Sequence, residues 1–326
     1  MADSDPDLPA STHDLSAQFR KDVLVGLSQP QKVIPARWFY DLRGSELFEQ
    51  ITSLPEYYPT RTEIGIFREC CPKVADLVGP GRVVVEFGAG SAAKTPLLLD
   101  AIAPGAYVPV DISGEFLRES CVALAERYPD LPIIPVEADF LHPFPLPAEA
   151  GQGCALGFFP GSTIGNMTPA PAVDLLRSMR ASLGDDAMLL IGMDLIKDEQ
   201  RLVAAYDDAQ GVTAEFNRNL AARINRELGG TLPLDSLDHV ALWNEPLARI
   251  EMHLRATRDI AFEVCGEPFS MREGETIHTE NSHKYSPTSA DLLLLAGRWE
   301  PVAHYFDKEH LFMVVLARAI STDMTA

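Results

Sequence analysis

The stretch Val83-Val84-Val85-Glu86-Phe87-Gly88-Ala89-Gly90-Ser91 decides the fold of this 326-residue chain. Three consecutive β-branched residues predict a buried strand, which leads directly into a turn that contains two glycines. Glycine lets the backbone turn sharply and lets a ligand approach the main chain closely. A strand that enters such a turn before a helix predicts an α/β domain with a nucleotide site at the end of the strand.

Short apolar runs alternate with helical patterns around that turn. The predicted strands are 83–85, 107–110, 133–136, 155–159 and 188–193, and the predicted helices between them are 95–101, 114–128 and 172–183. Strands separated by helices of this length predict βαβ units and a parallel sheet that is buried on both faces. Two further runs, 301–306 and 311–319, predict an antiparallel hairpin at the edge of the sheet.

The rest of the chain departs from this rhythm and predicts a second, smaller lobe. Apolar periodicity predicts helices at 14–28, 197–206 and 212–228, residues 239–264 alternate as strands do, and the polar residues 272–284 predict a loop. We therefore predict a sheet domain at 61–196 and 287–326, an α+β lobe at 14–60 and 197–286, and a disordered N-terminus at 1–13.

The composition excludes several classes of function. The chain carries 27 Lys and Arg against 47 Asp and Glu, a formal net charge of −20. Such a surface repels phosphate backbones and anionic lipid, so we expect neither nucleic acid nor a membrane as a partner. The N-terminus has no signal-peptide pattern. The five cysteines form no CxxC, and His278, Glu280 and His283 match no metal-ligand spacing, so we expect a cytoplasmic protein without a metal.

Acidic side chains follow three consecutive predicted strands. Glu86 precedes the glycines, Asp111 stands 21 residues after Gly90, and Asp139 is followed by Phe140. Asp111 is placed to accept hydrogen bonds from ribose hydroxyls, while Asp139 and Phe140 suit an adenine base. Residues 88–93 also fit the GxGxxG/A pattern of NAD(P)-dependent oxidoreductases, and a glycine pair can be a purely structural turn. The acid-x-Gly-x-Gly order and the terminal hairpin favour class I methyltransferases, which bind S-adenosylmethionine.

A longer motif carries a resemblance to one family. Residues 159–166, Phe-Pro-Gly-Ser-Thr-Ile-Gly-Asn, follow the fourth predicted strand and resemble the histidine Nα-methyltransferases of ergothioneine biosynthesis. Further similar stretches are 37–41, 54–63, 205–209, 213–219, 249–252 and 279–284. The resemblance implies a class I methyltransferase fold, with a Rossmann-like, mostly parallel sheet, a C-terminal antiparallel hairpin and a smaller α+β lobe that binds the substrate. It implies three methyl transfers from S-adenosyl-L-methionine to the α-amino group of L-histidine, which give hercynine.

The same resemblance implies roles for individual residues. Cofactor binding falls to Tyr57, Glu86, Gly88, Gly90, Lys94, Asp111, Asp139 and Phe140. Substrate binding falls to Tyr57, Asn166, Tyr206, Met252, Glu280 and Ser282, and the catalytic positions are Asn166, Tyr40 and Gly161. The sequence departs from the family at Asn281 and His283.

Elementary chemistry agrees with these roles. Methyl transfer needs a free amine, and the neutral amide of Asn166 can orient an amine without favouring the ammonium form. The ring of Tyr40 can face the fixed positive charge of the product, and Glu280 with Ser282 can hydrogen bond to both imidazole nitrogens. Tyr40, Tyr206 and Met252 also fit simple packing roles. Two alternatives remain: the substrate is another amino acid, such as a tryptophan derivative, or the protein is a catalytically silent sensor. We expect a monomer.

Overall fold

The structure of the chain is a computed structural model that describes residues 12–90, 94–112, 114–151 and 153–321. It divides into two compact units. The chain up to Tyr58 and Lys197–His283 form one, which we call the four-stranded unit; Pro59–Ile196 and the chain from Lys284 onward form the other, the seven-stranded unit. The segment predicted to be disordered lies outside the described residues, apart from Thr12 and His13, with which the first helix begins.

The helices and strands have the following bounds. The helices are α1 (Thr12–Leu27), α2 (Leu42–Thr52), α3 (Tyr58–Val78), α4 (Thr95–Ile102), α5 (Gly114–Arg127), α6 (Pro169–Leu183), α7 (Glu199–Ala204), α8 (Val212–Leu228) and α9 (Pro287–Ala296). The strands are β1 (Lys32–Val33), β2 (Val83–Phe87), β3 (Ala106–Asp111), β4 (Val136–Glu137), β5 (Ala155–Phe159), β6 (Met188–Asp194), β7 (Leu237–Asn244), β8 (Arg249–Ala256), β9 (Ile260–Val264), β10 (Glu267–Met271), β11 (Thr276–His283), β12 (Trp299–Phe306) and β13 (Phe312–Ala319). No helix among the described residues combines the length and the apolar character that a membrane crossing requires.

The large sheet has the strand order β4-β3-β2-β5-β6-β13-β12. Its first five strands are parallel, and β13 runs antiparallel to both β6 and β12. This order confirms the predicted class I methyltransferase fold with its terminal hairpin. It differs from the strand order of the dinucleotide-binding fold, which the oxidoreductase alternative predicts.

Both faces of this sheet are covered by helices. Val83, Val85 and Phe87 of β2 pack on one face with buried side chains of α6 and α9, whereas Val84 packs on the other face with those of α3 and α4. Burial on both faces explains the continuous apolar run that begins β2. The predicted strand at 133–136 was too long. Val136 and its neighbour pair with β3 as a strand, whereas Ile133 forms an isolated bridge to Tyr107 of β3, because Pro135 between them has no N–H to donate.

The second sheet has the order β1-β11-β8-β7, and α8 packs against it. The stripe predicted for this helix is confirmed, since Phe216, Leu220, Ile224 and Leu228 are buried. The predicted loop at 272–284 was wrong, because β11 pairs with β8 over Thr276–His283. Several of its buried side chains are polar, so this strand lacks the apolar alternation from which strands are predicted.

Candidate active site

The glycine turn after β2 is fixed by the neighbouring strand. Gly88 has a φ of +72°, which L residues rarely adopt, and its N–H donates to Val110 O at 2.8 Å. A Cβ atom at Gly88 would lie 3.8 Å from the Phe140 ring, so that ring sits directly over the turn. The turn thus offers an aromatic face beside bare backbone. Residues 91–93, which complete the GxGxxG/A match, lie outside the described part of the chain.

The buried side chain of Glu86 connects the glycine turn to neighbouring elements by hydrogen bonds. Its Oε2 accepts hydrogen bonds from Thr95 Oγ1 and Tyr107 OH, each at 2.7 Å. Thr95 begins α4 and Tyr107 lies in β3, so the carboxylate links the three elements that surround the turn. Burial raises the pKa of Glu86 to about 7. These contacts give Glu86 a role in holding the turn, and its predicted contact with the cofactor stays a prediction.

The two strand-end aspartates lie on neighbouring parallel strands. Asp111 ends β3, and Asp139 follows β4, which pairs with β3. Asp139 accepts the Leu141 N–H at 3.0 Å, which sets the direction of the chain into the loop. Phe140 packs edge-on against Phe87 at 5.9 Å. The seven-stranded unit therefore brings the glycine turn, both aspartates and the ring of Phe140 to the carboxyl edge of one sheet, as predicted for a nucleoside site.

A buried carboxylate that the sequence did not reveal joins two predicted residues. Glu63, wholly buried in α3, accepts the Gly161 N–H at 2.8 and 2.9 Å and pairs with Lys94 Nζ at 2.5 Å. A Cβ atom at Gly192 would lie 1.9 Å from Glu63 Oε1, so a glycine in β6 makes room for the carboxylate. The only sequence signal was the place of Glu63 at the end of the motif 54–63.

The segment after β5 is a tight, strained turn. Gly161 and Ser162 have φ values of +82° and +56°, and residues Thr163–Asn166 form a short 3-10 helix. Ser162 Oγ accepts the Asp194 N–H at 2.9 Å, which ties the turn to β6. Asn166 is partly exposed at the end of this turn, and no described residue hydrogen bonds to its side-chain amide. The amide therefore remains available to a ligand.

Aromatic rings dominate the predicted substrate residues of the four-stranded unit. Tyr40 meets the rings of Phe48 at 5.6 Å and Phe216 at 5.9 Å. Phe48 also contacts Tyr57 at 6.2 Å, and Tyr57 contacts Tyr206 at 6.2 Å. Tyr40 keeps 42% of its surface exposed, whereas Tyr57 and Tyr206 are buried. The three tyrosines singled out in the sequence therefore belong to one ring cluster, and Phe48 and Phe216 are members that the sequence did not indicate.

A β-bulge places the remaining substrate residues on one face of the small sheet. The register of β11 against β8 shifts between His278 and Glu280, so that His278 faces His253 while Glu280 faces Met252. Directly opposite residues of an antiparallel pair share a face, and Ser282 lies two positions beyond Glu280. Without the extra residue, Glu280 would point to the face of His278. The bulge thus brings Glu280 and Ser282 beside Met252.

Ser282 also reaches the aromatic cluster. Its Oγ lies 2.7 Å from Tyr206 OH, and both side chains are buried. This hydrogen bond joins the residue predicted to hold the amino acid's polar groups to a residue predicted to hold the imidazole. A single polar contact therefore connects the two ends of the predicted substrate site within this unit.

The opposite face of the small sheet carries a group of possible ligand atoms. Glu251, His253 and His278 bring one such atom each within 4.8 Å of one another. The two imidazole rings stack at 4.6 Å with 18° between their planes. An ion bound by two ring nitrogens lies in both ring planes, and nearly parallel planes do not meet near the rings. Glu251 also binds Arg249 at 2.6 Å. This geometry is that of a hydrogen-bonded polar cluster and does not suit a metal centre.

Known proteins are similar to this chain over most of its length. A family model described as histidine-specific, SAM-dependent methyltransferase matches residues 19–319. A histidine N-alpha-methyltransferase of Mycolicibacterium smegmatis is 42% identical over 274 residues, which cover 82% of this chain and 84% of that protein. The Mycobacterium tuberculosis protein of the same name is 40% identical over 304 residues, or 91% and 94% of the two chains. Ergothioneine biosynthesis protein 1 of Neurospora crassa is 30% identical over 83% of this chain and 32% of its own length.

Proposed function

This chain belongs to the family of SAM-dependent, histidine-specific methyltransferases, and from that premise we propose that it methylates the α-amino nitrogen of L-histidine three times to give hercynine. Identities of 42% and 40% to two histidine N-alpha-methyltransferases support the choice of nitrogen. The observation that carries the proposal is the Asn166 amide, held at the end of a strained turn with no described hydrogen-bond partner. The resemblance of this protein to ergothioneine biosynthesis proteins supports a place in that pathway.

S-adenosylmethionine fits the seven-stranded unit. Gly88 and the Phe140 ring would receive the adenosine, Asp111 the ribose hydroxyls and Lys94 the carboxylate of the methionine part. Bound S-adenosylmethionine supplies an activated methyl group, whose bond to sulfur breaks as the nitrogen lone pair forms the new bond to carbon. The work left to the protein is alignment of the nitrogen with that methyl group.

Asn166 is the residue we assign to the amine. Its side-chain oxygen can accept an N–H of the substrate and so direct the nitrogen lone pair away from the amide. A carboxylate at this position would favour the ammonium, which has no lone pair to donate. The Gly161 carbonyl is a second candidate acceptor, and the bond from Gly161 N–H to Glu63 fixes one peptide plane beside it. Both acceptors are neutral, so neither traps the substrate in its charged form.

Tyr40 is the residue we assign to the growing methylammonium. Each transfer to the neutral amine gives an alkylammonium, which releases a proton to water before the next transfer. After the third transfer no N–H is left, and the product has a permanent charge that no hydrogen-bond acceptor can satisfy. An aromatic face attracts such a charge by about 0.5–2 kcal/mol. Tyr40 packs against two phenylalanines, which fix the direction of its half-exposed ring.

Glu280, Ser282 and Tyr206 are the residues we assign to the imidazole and carboxylate ends of histidine. Glu280 can accept a ring N–H, and the Ser282 hydroxyl can donate to or accept from the other nitrogen. A phenylalanine substrate would leave these polar groups unpaired, which favours histidine strongly. Met252, fully buried between them and the core, gives the site an apolar wall.

The test uses the purified full chain, S-adenosylmethionine and free amino acids. Mass spectrometry should detect mono-, di- and trimethylhistidine in sequence, with trimethylhistidine as the end product. Tryptophan, phenylalanine and the ring-methylated histidines serve as competing substrates, and none should be methylated at a comparable rate. Methylation of tryptophan with histidine left unchanged would overturn the assignment of Glu280 and Ser282 to an imidazole.

A further inference from the structure

A chain of buried and partly buried hydrogen bonds runs through the four-stranded unit and ends at the residues assigned to histidine. His239 Nε2 lies 2.8 Å from Tyr206 O, and His239 Nδ1 lies 2.8 Å from Asn217 Nδ2. Thr279 Oγ1 then donates to Asn217 Oδ1 at 2.8 Å. Asn217 and Thr279 are almost completely buried. The three side chains come from β7, α8 and β11, and we call them the relay.

A backbone carbonyl sets the direction of the relay bonds made by the Asn217 amide nitrogen and by His239. Asn217 Nδ2 lies 3.0 Å from His253 O, which can only accept, so the amide nitrogen must face this side. The same nitrogen faces His239 Nδ1, which must therefore be the acceptor. The hydrogen of the neutral imidazole is then on Nε2 and is donated to Tyr206 O. Burial lowers the pKa of His239, which agrees with a neutral ring.

The relay ends on both sides at residues assigned to the substrate. Thr279 is the residue of the bulge that immediately precedes Glu280, and its hydroxyl also lies 3.0 Å from Met252 O. At the other end, His239 holds the main chain of Tyr206, whose hydroxyl meets Ser282. The register of the bulge and the position of Tyr206 are therefore set by one continuous set of hydrogen bonds.

We propose that His239, Asn217 and Thr279 are positioning residues for histidine binding, which hold the bulge so that Glu280 and Ser282 meet the imidazole while Tyr206 meets the rest of the substrate. The proposal rests on the proposed function, since it needs Glu280 and Ser282 to contact histidine. The relay side chains make no described contact with the cofactor residues predicted in the seven-stranded unit. Tyr57, the cofactor residue predicted in the four-stranded unit, contacts the ring of Tyr206, whereas the relay holds only the main chain of Tyr206. Its loss should therefore weaken histidine binding and spare S-adenosylmethionine.

The test removes the hydroxyl of Thr279 and keeps the shape of the side chain. Thr279→Val should raise the KM for L-histidine about tenfold, the factor that corresponds to about 1.4 kcal/mol. The KM for S-adenosylmethionine should stay within about twofold of wild type, as should kcat at saturating histidine. Thr279→Ser keeps the hydroxyl and should restore the wild-type KM. Thr231→Val is the matched control, because it removes a hydroxyl that accepts from Glu263 N elsewhere in the same unit.

His239→Leu cuts the relay at a second point and should raise the KM for histidine in the same way. If Thr279→Val fails to fold, the KM of His239→Leu for histidine tests the relay in its place. An unchanged KM for histidine in the folded variant would overturn the relay. Equal rises in KM for histidine and S-adenosylmethionine would also overturn it, because they indicate a general structural defect. A wild-type chain that does not methylate histidine would overturn the proposed function and the relay together, whereas an active wild type with a neutral Thr279→Val overturns the relay alone.

Discussion

The two units build their candidate ligand sites in different ways. The seven-stranded unit places Gly88, Asp111 and Phe140 at the ends of adjacent parallel strands, where backbone and single side chains face the same edge. The four-stranded unit instead uses the side chains of one sheet face and a ring cluster, and a bulge decides which of them reach that face. A site made at strand ends needs local motifs, whereas a site made on a sheet face needs correct register across distant strands.

The pKa values of the buried acids Glu86 and Glu251, one in each unit, are shifted in opposite directions. Burial raises the pKa of Glu86 to about 7 in the seven-stranded unit. In the four-stranded unit burial acts in the same direction on Glu251, but hydrogen bonds from Arg249, His253 and Asn244 outweigh it and lower the pKa to about 2. Glu86 therefore destabilises the fold as it ionises, and Glu251 stabilises it once ionised. The two units should respond to pH in opposite directions.

The largest expected effect comes from Glu86→Gln. The folded pKa of Glu86 is raised from 4.5 to about 7, so its contribution to stability is complete below about pH 4.5 and is lost as pH rises through 7. The loss amounts to about 3 kcal/mol at alkaline pH. Glutamine keeps an acceptor for both hydroxyls and cannot ionise. The free energy of unfolding is measured by denaturant titration from about pH 5 to 8.5. Relative to the variant, that of the wild type should fall as pH rises, and the dependence that remains in the variant comes from other groups, such as the buried His239, His253 and His278.

Two controls sharpen this contrast. Glu149→Gln changes an exposed acid of the same unit and should leave the pH dependence as in the wild type. Glu251→Gln should lower the free energy of unfolding by a constant amount from pH 5 to 8.5, because the stability from Glu251 is complete above pH 4.5 and is lost only as pH falls through about 2. A Glu86→Gln variant that destabilises equally at every pH would mean that the carboxylate is not the source of the pH dependence.

The second-largest effect tests whether a residue of the seven-stranded unit can act on the substrate without affecting cofactor binding. Asn166 lies in the seven-stranded unit but is assigned to the amine. Asn166→Ala should lower kcat/KM for histidine about 100-fold through loss of alignment, while the Kd for S-adenosylhomocysteine changes less than about threefold. Calorimetry and a methyl-transfer assay measure the two quantities. Asn225→Ala, which removes a partly buried amide of α8 that hydrogen bonds to the main chain of Leu232 in the other unit, serves as the control. Equal losses of transfer and cofactor binding would contradict the role of Asn166.

The residues that were predictable share one physical property. The glycine turn, Asp111, Asp139 and the turn at 161–166 each lie where a strand ends, so a few neighbouring letters specify both position and chemistry. The hydrogen-bonding positions of Glu63 and Asn217 depend on partners 98 and 62 residues away. Such contacts leave no periodic pattern. The strand β11 was missed for a related reason, since its buried side chains are hydrogen-bonded polar groups and not apolar ones.

A third effect concerns Glu63, the contact that the sequence did not reveal. Glu63→Gln keeps one acceptor for Gly161 N–H but loses the charge that holds Lys94. Lys94 is partly exposed, so we expect a rise of about tenfold in the KM for S-adenosylmethionine, with a smaller change for histidine. Glu69→Gln, an exposed acid of the same helix, is the control and should leave both constants unchanged. A rise confined to the KM for histidine would place Glu63 on the substrate side of the comparison.

The smallest effect belongs to the aromatic cluster of the four-stranded unit. Tyr40→Leu keeps an apolar side chain but removes the π face, whereas Tyr40→Phe keeps the face and removes the hydroxyl. A half-exposed ring contributes about 0.5–1 kcal/mol to a neighbouring cation, which corresponds to a two- to fivefold change in rate or affinity. The benefit grows as methyl groups replace N–H donors, so Tyr40→Leu should slow the third transfer most and let dimethylhistidine accumulate. Time-resolved mass spectrometry measures the ratio of dimethyl- to trimethylhistidine. Tyr40→Phe should match the wild type, and a larger defect in Tyr40→Phe than in Tyr40→Leu would show that the hydroxyl, and not the ring face, is what the substrate meets.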